Sequence, residues 1–183
     1  MRNLWAPWRA AYVLGEAEAA GGCFFCINPA QAPERLADQL VLYATPDVSV
    51  MLNAYPYVNG HLLVAPRAHV ARVGELAAAA HDALFRTVTA AAGVLERAMA
   101  PDGMNIGVNV GRVAGAGVVD HAHVHLVPRW SGDTNFMPVL AETTVLPQDL
   151  KATYAQLRPH FAALEAEHAL TGGGEGERSN HGP

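Results

Sequence analysis

Val118–Trp130 reads "VVDHAHVHLVPRW" and sets His121, His123 and His125 at intervals of two, with Ala122, Val124 and Leu126 between them. On a β-strand alternate side chains leave the same face, so this spacing predicts three imidazoles on one side and an apolar row against the core. On a helix the three rings would spread over about 400° of rotation and could not converge. Packing has no need for imidazole at successive same-face positions. A phosphoryl-transfer site or a metal centre does, because neutral imidazole is both a nucleophile and a ligand near pH 7.

Immediately upstream, "GVNVGRVAGAG" places glycines at 107, 111, 115 and 117. Glycine permits positive φ and close backbone approach, so such a loop can turn several N–H groups towards one anion. The spacing is neither GxxxxGK[ST] nor the GxGxxG of a dinucleotide fold. Beside three aligned imidazoles it reads as a phosphate cradle to which Arg112 adds charge.

Further out, "QLVLYA", "VSVMLN" and "HLLVAP" are strand-like runs separated by Thr45-Pro46-Asp47 and by the segment Tyr55–Gly60, which predicts an antiparallel meander. From Glu75 to Ala100 the residues Leu76, Ala80, Leu84, Val88, Ala91, Leu95 and Met99 trace one stripe of a long helix that Pro101-Asp102-Gly103 ends. "MNIGVNV" is a further strand. A last helix is expected over about 147–169, with Pro147 near its start and Pro159 as a kink point.

The chain has 183 residues, which suits one domain. We place that domain at 1–170, with an arm over about 1–30. The tail at 171–183, "TGGGEGERSNHGP", has too little apolar surface to offset the entropy of ordering, which predicts disorder. A net charge of −5 argues against nucleic acid as a partner. The early "MRNLWAPWRAAYV" is interrupted by Pro7, Trp8 and Arg9 where a signal peptide would be apolar, and no run is long enough to span a membrane. A cytoplasmic protein is expected. Its two cysteines, Cys23 and Cys26 of "CFFC", leave a metal site, a redox pair or two buried thiols as readings.

The combination resembles the histidine-triad superfamily. "HAHVHLV" matches its signature, "LNAYPYVNGHLLVAPRAHV" (52–70) is similar to its asparagine region and Gly-His strand, and "NVGRVAGAG" to its phosphate loop. The match runs in order from residue 23 to about 130. It implies an α+β fold in which an antiparallel β-sheet packs against the long helix, in a homodimer. It also implies nucleotidyl transfer through a covalent nucleotidyl-histidine, with no Mg²⁺ motif and no organic cofactor. By position His123 is the nucleophile, His125 contacts the phosphates and His121 supports them. Asn53 would meet the ribose, and Asn109, Gly111, Gly115, Gly117 and His125 the nucleotide. His61 matches a further histidine behind the site.

Hydrolytic branches usually carry glutamine four residues before the first triad histidine, where this chain has Gly117. "AGAGVVDHAHVHLVPRWSGDTNF" and "LWAPWR" instead resemble the bacterial diadenosine tetraphosphate phosphorylase-like branch. The expected substrate is a dinucleoside polyphosphate, and the acceptor inorganic phosphate or water. Relatives bind a structural zinc through a cysteine pair and two histidines, whose positions are held here by Cys23, Cys26, His69 and His121. Two rival readings are a non-catalytic nucleotide-binding module and a zinc-dependent structural protein.

Overall fold

Five strands form one antiparallel sheet: β1 (Val41–Ala44), β2 (Val48–Leu52), β3 (Leu62–Pro66), β4 (Gly103–Val108) and β5 (Val124–Arg129). Their spatial order is β1-β2-β3-β5-β4. The computed structural model describes residues 22–133 and 146–172. Most of the expected arm (1–21), the segment 134–145 after the tryptophan turn, and 173–183 of the expected tail lie outside the described residues.

β1, β2 and β3 are the expected meander. The Thr45 hydroxyl accepts the backbone N–H of Val48 at 3.1 Å and of Asp47 at 3.3 Å, which closes the first turn and sets its register. β5 then inserts between β3 and β4, so Leu126 lies opposite both Leu62 and Ile106. This central position explains the apolar row between the histidines: Val124 and Leu126 are buried against the helices.

Among the described residues three helices accompany the sheet: α1 (Pro33–Asp38), α2 (Ala78–Met99) and α3 (Leu150–Gly172). Leu84, Val88, Ala91 and Leu95 of the expected stripe are buried, joined by Leu157, Phe161 and Leu164 of α3 in one core on the helical face of the sheet. Burying one such side chain is worth about 1.5–3 kcal/mol relative to leaving it exposed. The α+β class and the sheet-on-helix packing are therefore as expected. A second, smaller core on the opposite face holds Phe25, Ile27, Val41, Met51, Leu63 and Ala65.

Several boundaries differ from expectation. α2 begins at Ala78, because Val73–Glu75 forms a 3-10 turn in which the Glu75 carboxylate accepts the N–H groups of Ala71 and Arg72. Leu76 consequently packs from outside the helix. α3 starts later than expected, since Asp149 caps it: its carboxylate accepts the Ala152 N–H at 2.9 Å. The helix continues through Pro159 and includes Thr171 and Gly172, two residues assigned to the tail. α1 was not expected at all. Its six residues are too few for a period to register, and its one signal is Pro33 followed by Glu34 at the N-terminus.

The turn into β3 depends on Gly60, whose φ is +77° and whose missing Cβ would meet the Met99 Sδ at 2.5 Å. The methionine tip can yield, but an L side chain at this φ is strained at a cost of order 1–3 kcal/mol. Gly60→Ala should therefore lower the unfolding free energy by about that amount in urea denaturation, and an unchanged midpoint would show that the turn tolerates a side chain.

Candidate active site

The three histidines share one face of the sheet, opposite the helices, but only His125 lies within a strand. β5 begins at Val124, and its pairing with β3 and β4 ends at Val64 and Val108. The expected strand through His121 and His123 is therefore corrected to an extended lead-in. There Ala122 donates its N–H to the Val70 carbonyl at 2.7 Å, and His121 and His123 are buried. Phe25 packs beneath both, its ring centroid 5.3 Å from that of His121 and 4.6 Å from that of His123. The His123 and His125 rings are 4.9 Å apart.

Hydrogen-bond partners decide where each ring carries its proton. The Nδ1 of His123 is 2.9 Å from the carbonyl oxygen of His121. A carbonyl only accepts, so Nδ1 holds the hydrogen and the Nε2 lone pair is free. That is the tautomer a nucleophilic histidine needs.

A second chain sets His125. The backbone N–H of Tyr57 points at His61 Nδ1 at 3.2 Å, and an N–H only donates. The Asn53 amide nitrogen approaches the same atom at 3.3 Å, its orientation fixed by Oδ1 accepting the Tyr55 N–H at 2.9 Å. His61 therefore carries its proton on Nε2 and donates it to His125 Nδ1 at 2.9 Å. His125 in turn carries its proton on Nε2, directed into the site. The Asn109 amide nitrogen lies 3.5 Å from that Nε2, while also donating to the Gly115 carbonyl at 3.4 Å. Two donors at 3.5 Å make a contact rather than a bond, so the His125 N–H stays available to an anion.

Burial keeps these rings neutral. It pushes His61 down to about 3, aided by the neighbouring His125 and His123, and His125 down to about 4, aided by His123. It also lowers His123, against the opposing pull of the His121 carbonyl.

The glycine loop faces the same site. Gly111 at φ +82° and Gly115 at φ +88° adopt conformations that favour glycine, on either side of a 3-10 turn at Arg112–Ala114. Gly107 acts differently: it sits opposite His125 across the β4–β5 ladder, where an absent side chain leaves the histidine face open. Gly117 and Arg112 are exposed on the loop. Asn53, expected at a ribose, directs its amide to Tyr55 and His61, so it also orients the relay.

Cys23, Cys26, His69 and His121 converge, with their donor atoms all within 4.8 Å of one another. His121 Nε2 donates to the Pro66 carbonyl at 2.8 Å, which leaves the Nδ1 lone pair facing Cys23 Sγ at 3.3 Å, Cys26 Sγ at 3.7 Å and His69 Nδ1 at 3.2 Å. His69 Nδ1 is 3.3 Å from Cys26 Sγ. Four donors about one tetrahedral cation at ordinary bond lengths would be separated by about 3.3–3.8 Å, so the group could hold a metal ion. Burial pushes the Cys23 thiol up, a penalty that a bound cation would reverse.

All the expected histidines, both cysteines and Asn109 thus meet in two adjoining clusters. The contributions of Phe25 and of the backbone carbonyls of Pro66, Val70 and His121 were not foreseen. Carbonyls carry no signature in a sequence, since every residue has one.

Comparison with known proteins agrees with this architecture. The sequence matches the HIT domain over residues 34–132. It is 35% identical over 167 residues to an AP-4-A phosphorylase of Mycobacterium tuberculosis, covering 88% of this chain and 85% of that one. It is 34% identical over 93 residues to an asymmetrical bis(5'-nucleosyl)-tetraphosphatase of Schizosaccharomyces pombe, about half of each protein (51% and 50%). The fold is shared with a zinc-bound histidine triad family protein of Mycobacterium smegmatis, at a TM-score of 0.59 and 23% identity, over 80% of this chain and 97% of that one. By its sequence and its fold, the chain belongs to the HIT-domain, or histidine-triad, family.

Proposed function

We propose that this protein cleaves dinucleoside polyphosphates by nucleotidyl transfer, with His123 as the nucleophile and inorganic phosphate as the acceptor. The observation that carries the reading is the 2.9 Å contact from His123 Nδ1 to the His121 carbonyl, which frees Nε2 for attack. His123 Nε2 would form a bond to the α-phosphorus as the bond from phosphorus to the leaving polyphosphate oxygen breaks. The His125 Nε2–H would stabilise charge on the phosphate oxygens, with the Gly111–Gly115 loop and Asn109 beside it. Phosphate oxygen would then attack the same phosphorus and release the histidine. From diadenosine tetraphosphate the products are ATP and ADP; with water as acceptor they are ATP and AMP. Similarity to the mycobacterial AP-4-A phosphorylase, together with Gly117 in place of a glutamine, favours phosphate.

The cysteine–histidine cluster fits zinc, because its two thiolates and two imidazoles match that ion's preferences and the donor separations suit a tetrahedron. Bound zinc would supply a neutralised cross-link between the Cys23–Cys26 segment and the lead-in to β5. A homodimer is supported by the edge of β4, which has no further strand beside it among the described residues and where Ile106 is 50% exposed. No helix among the described residues is long and apolar enough to cross a membrane.

Four outcomes test these readings. Incubation with diadenosine tetraphosphate should give ATP and ADP only when phosphate is added. His123→Asn should lose at least about 10⁴-fold in turnover, as expected for removal of a nucleophile; ion-exchange separation of products reads both, and full activity of the variant would overturn the mechanism.

Metal analysis should find about one zinc per chain, and Cys26→Ser should lose it together with thermal stability. A metal-free parent that melts at the same temperature as the chelated protein would count against the site.

The acid limb of stability follows from the neutral relay. His61 and His125 are held near 3 and 4 when folded, whereas an unfolded histidine titrates near 6.5. The unfolded chain therefore takes up protons first, and stability that is full above about pH 6.5 falls as pH drops towards 4. The slope is up to about 1.4 kcal/mol per pH unit for each ring. His61→Asn should flatten this limb by about one such slope in denaturation series between pH 6 and 4; an unchanged limb would show that His61 is not held neutral.

A further inference from the structure

We infer that Asn59, clasped by Thr153 and Gln148, is a positioning residue: the clasp sets the turn that keeps the His61 proton on Nε2, and through His61 it aims the His125 N–H into the site. This rests on the role proposed above for His125 and adds to it a control point on α3.

His61 is held by the turn that leads into it. Its backbone N–H reaches the Val58 carbonyl at 3.3 Å, and the Tyr57 N–H reaches its Nδ1 at 3.2 Å. Both lengths are at the long end for an N–H donor, so the turn grips itself weakly. His61 is anchored at the sheet, where its carbonyl accepts the Asn53 N–H at 2.9 Å. What can move is therefore the Tyr57 side of the turn. With the Tyr57 N–H displaced, His61 Nδ1 is left among the described residues with the Asn53 amide nitrogen at 3.3 Å. Little then opposes the other tautomer, in which His125 Nδ1 gives its proton to His61 Nε2 and His125 turns a bare Nε2 lone pair towards the phosphate.

The clasp is the shorter set of bonds. Asn59 stands between Val58 and Gly60 in that turn, and its Oδ1 accepts the Thr153 hydroxyl at 2.7 Å while its amide donates to Gln148 Oε1 at 3.0 Å. Thr153 is fully buried in the first turn of α3. Its N–H is bonded to the Asp149 carbonyl at 3.0 Å, beside the Asp149 cap, so the anchor is part of a fixed helix start. The turn is thus referenced to a helix 94 residues further along the chain. The Thr153 hydroxyl also lies 2.9 Å from the Asp149 carbonyl. It keeps an acceptor when Asn59 is removed, and loss of the clasp loosens the turn without stranding a buried hydroxyl.

The test uses Asn59→Ala, Thr153→Val and Thr153→Ser in the full chain. Imidazole nitrogen NMR, with the His61 signals assigned by their loss in His61→Asn, should show His61 in the parent protonated on Nε2 alone. Asn59→Ala and Thr153→Val should show a mixture of both tautomers, and Thr153→Ser, which keeps the hydroxyl, should match the parent. With diadenosine tetraphosphate and phosphate, kcat should fall about tenfold in the first two variants and KM stay within about twofold, as for a group mis-set by a fraction of an ångström. In a His61→Asn background, Asn59→Ala should change kcat by less than about twofold, because effects that pass through a shared partner do not add. A His61 proton that stays on Nε2 in Asn59→Ala, or an equal kcat loss with and without His61, would overturn the inference. So would a parent in which His61 samples both tautomers. The NMR comparison decides the clasp even if the parent turns over no nucleotide, so its failure and that of the proposed reaction are read separately.

Discussion

The site hangs on one residue, His121, which acts through both its ring and its backbone. The ring gives Nε2–H to Pro66 and turns Nδ1 to the cysteine cluster, while its carbonyl accepts the proton of His123. A buried carbonyl and a buried imidazole N–H each demand a partner. Satisfying both fixes two tautomers at once: the one that leaves a ligand lone pair on His121, and the one that leaves a free lone pair on His123. A shift of this segment would disturb the metal-capable cluster and the proposed nucleophile together.

The sheet makes that arrangement possible by keeping its two faces chemically apart. Leu62, Val64, Val124 and Leu126 supply the helical face, where α2 and α3 close the larger core. His61, Leu63 and His125 belong to the other face, whose smaller core around Phe25 seals the bases of the rings. Because side chains alternate, each strand serves both purposes without compromise. A one-residue slip in the β3–β5 register would send His125 into the helices and leave His61 without its partner.

Much of this was legible in advance. The apolar stripe of α2 and the strand runs showed as periodicity, and the four glycines as a permissive loop, of which only Gly111 and Gly115 take positive φ. The triad pattern was correct about the shared face but extended the strand too far, since the end of pairing at Val64 and Val108 depends on partners distant in sequence. Asn53 was assigned one contact from its position and is found making others. α1 was missed because a six-residue helix with no buried residue leaves almost no pattern.

The sequence by itself determined the longer elements, the face on which the histidines stand and the family to which the chain belongs, because each is written in spacing and residue type. Tertiary structure decided which atom of each histidine carries the proton, that His61 donates to His125 in particular, and how closely Cys23, Cys26, His69 and His121, grouped beforehand only by resemblance, approach one another. Those outcomes depend on backbone carbonyls, on N–H groups and on packing between segments as far as 98 residues apart. Backbone groups are the same at nearly every position, so only folding can say which of them faces which ring.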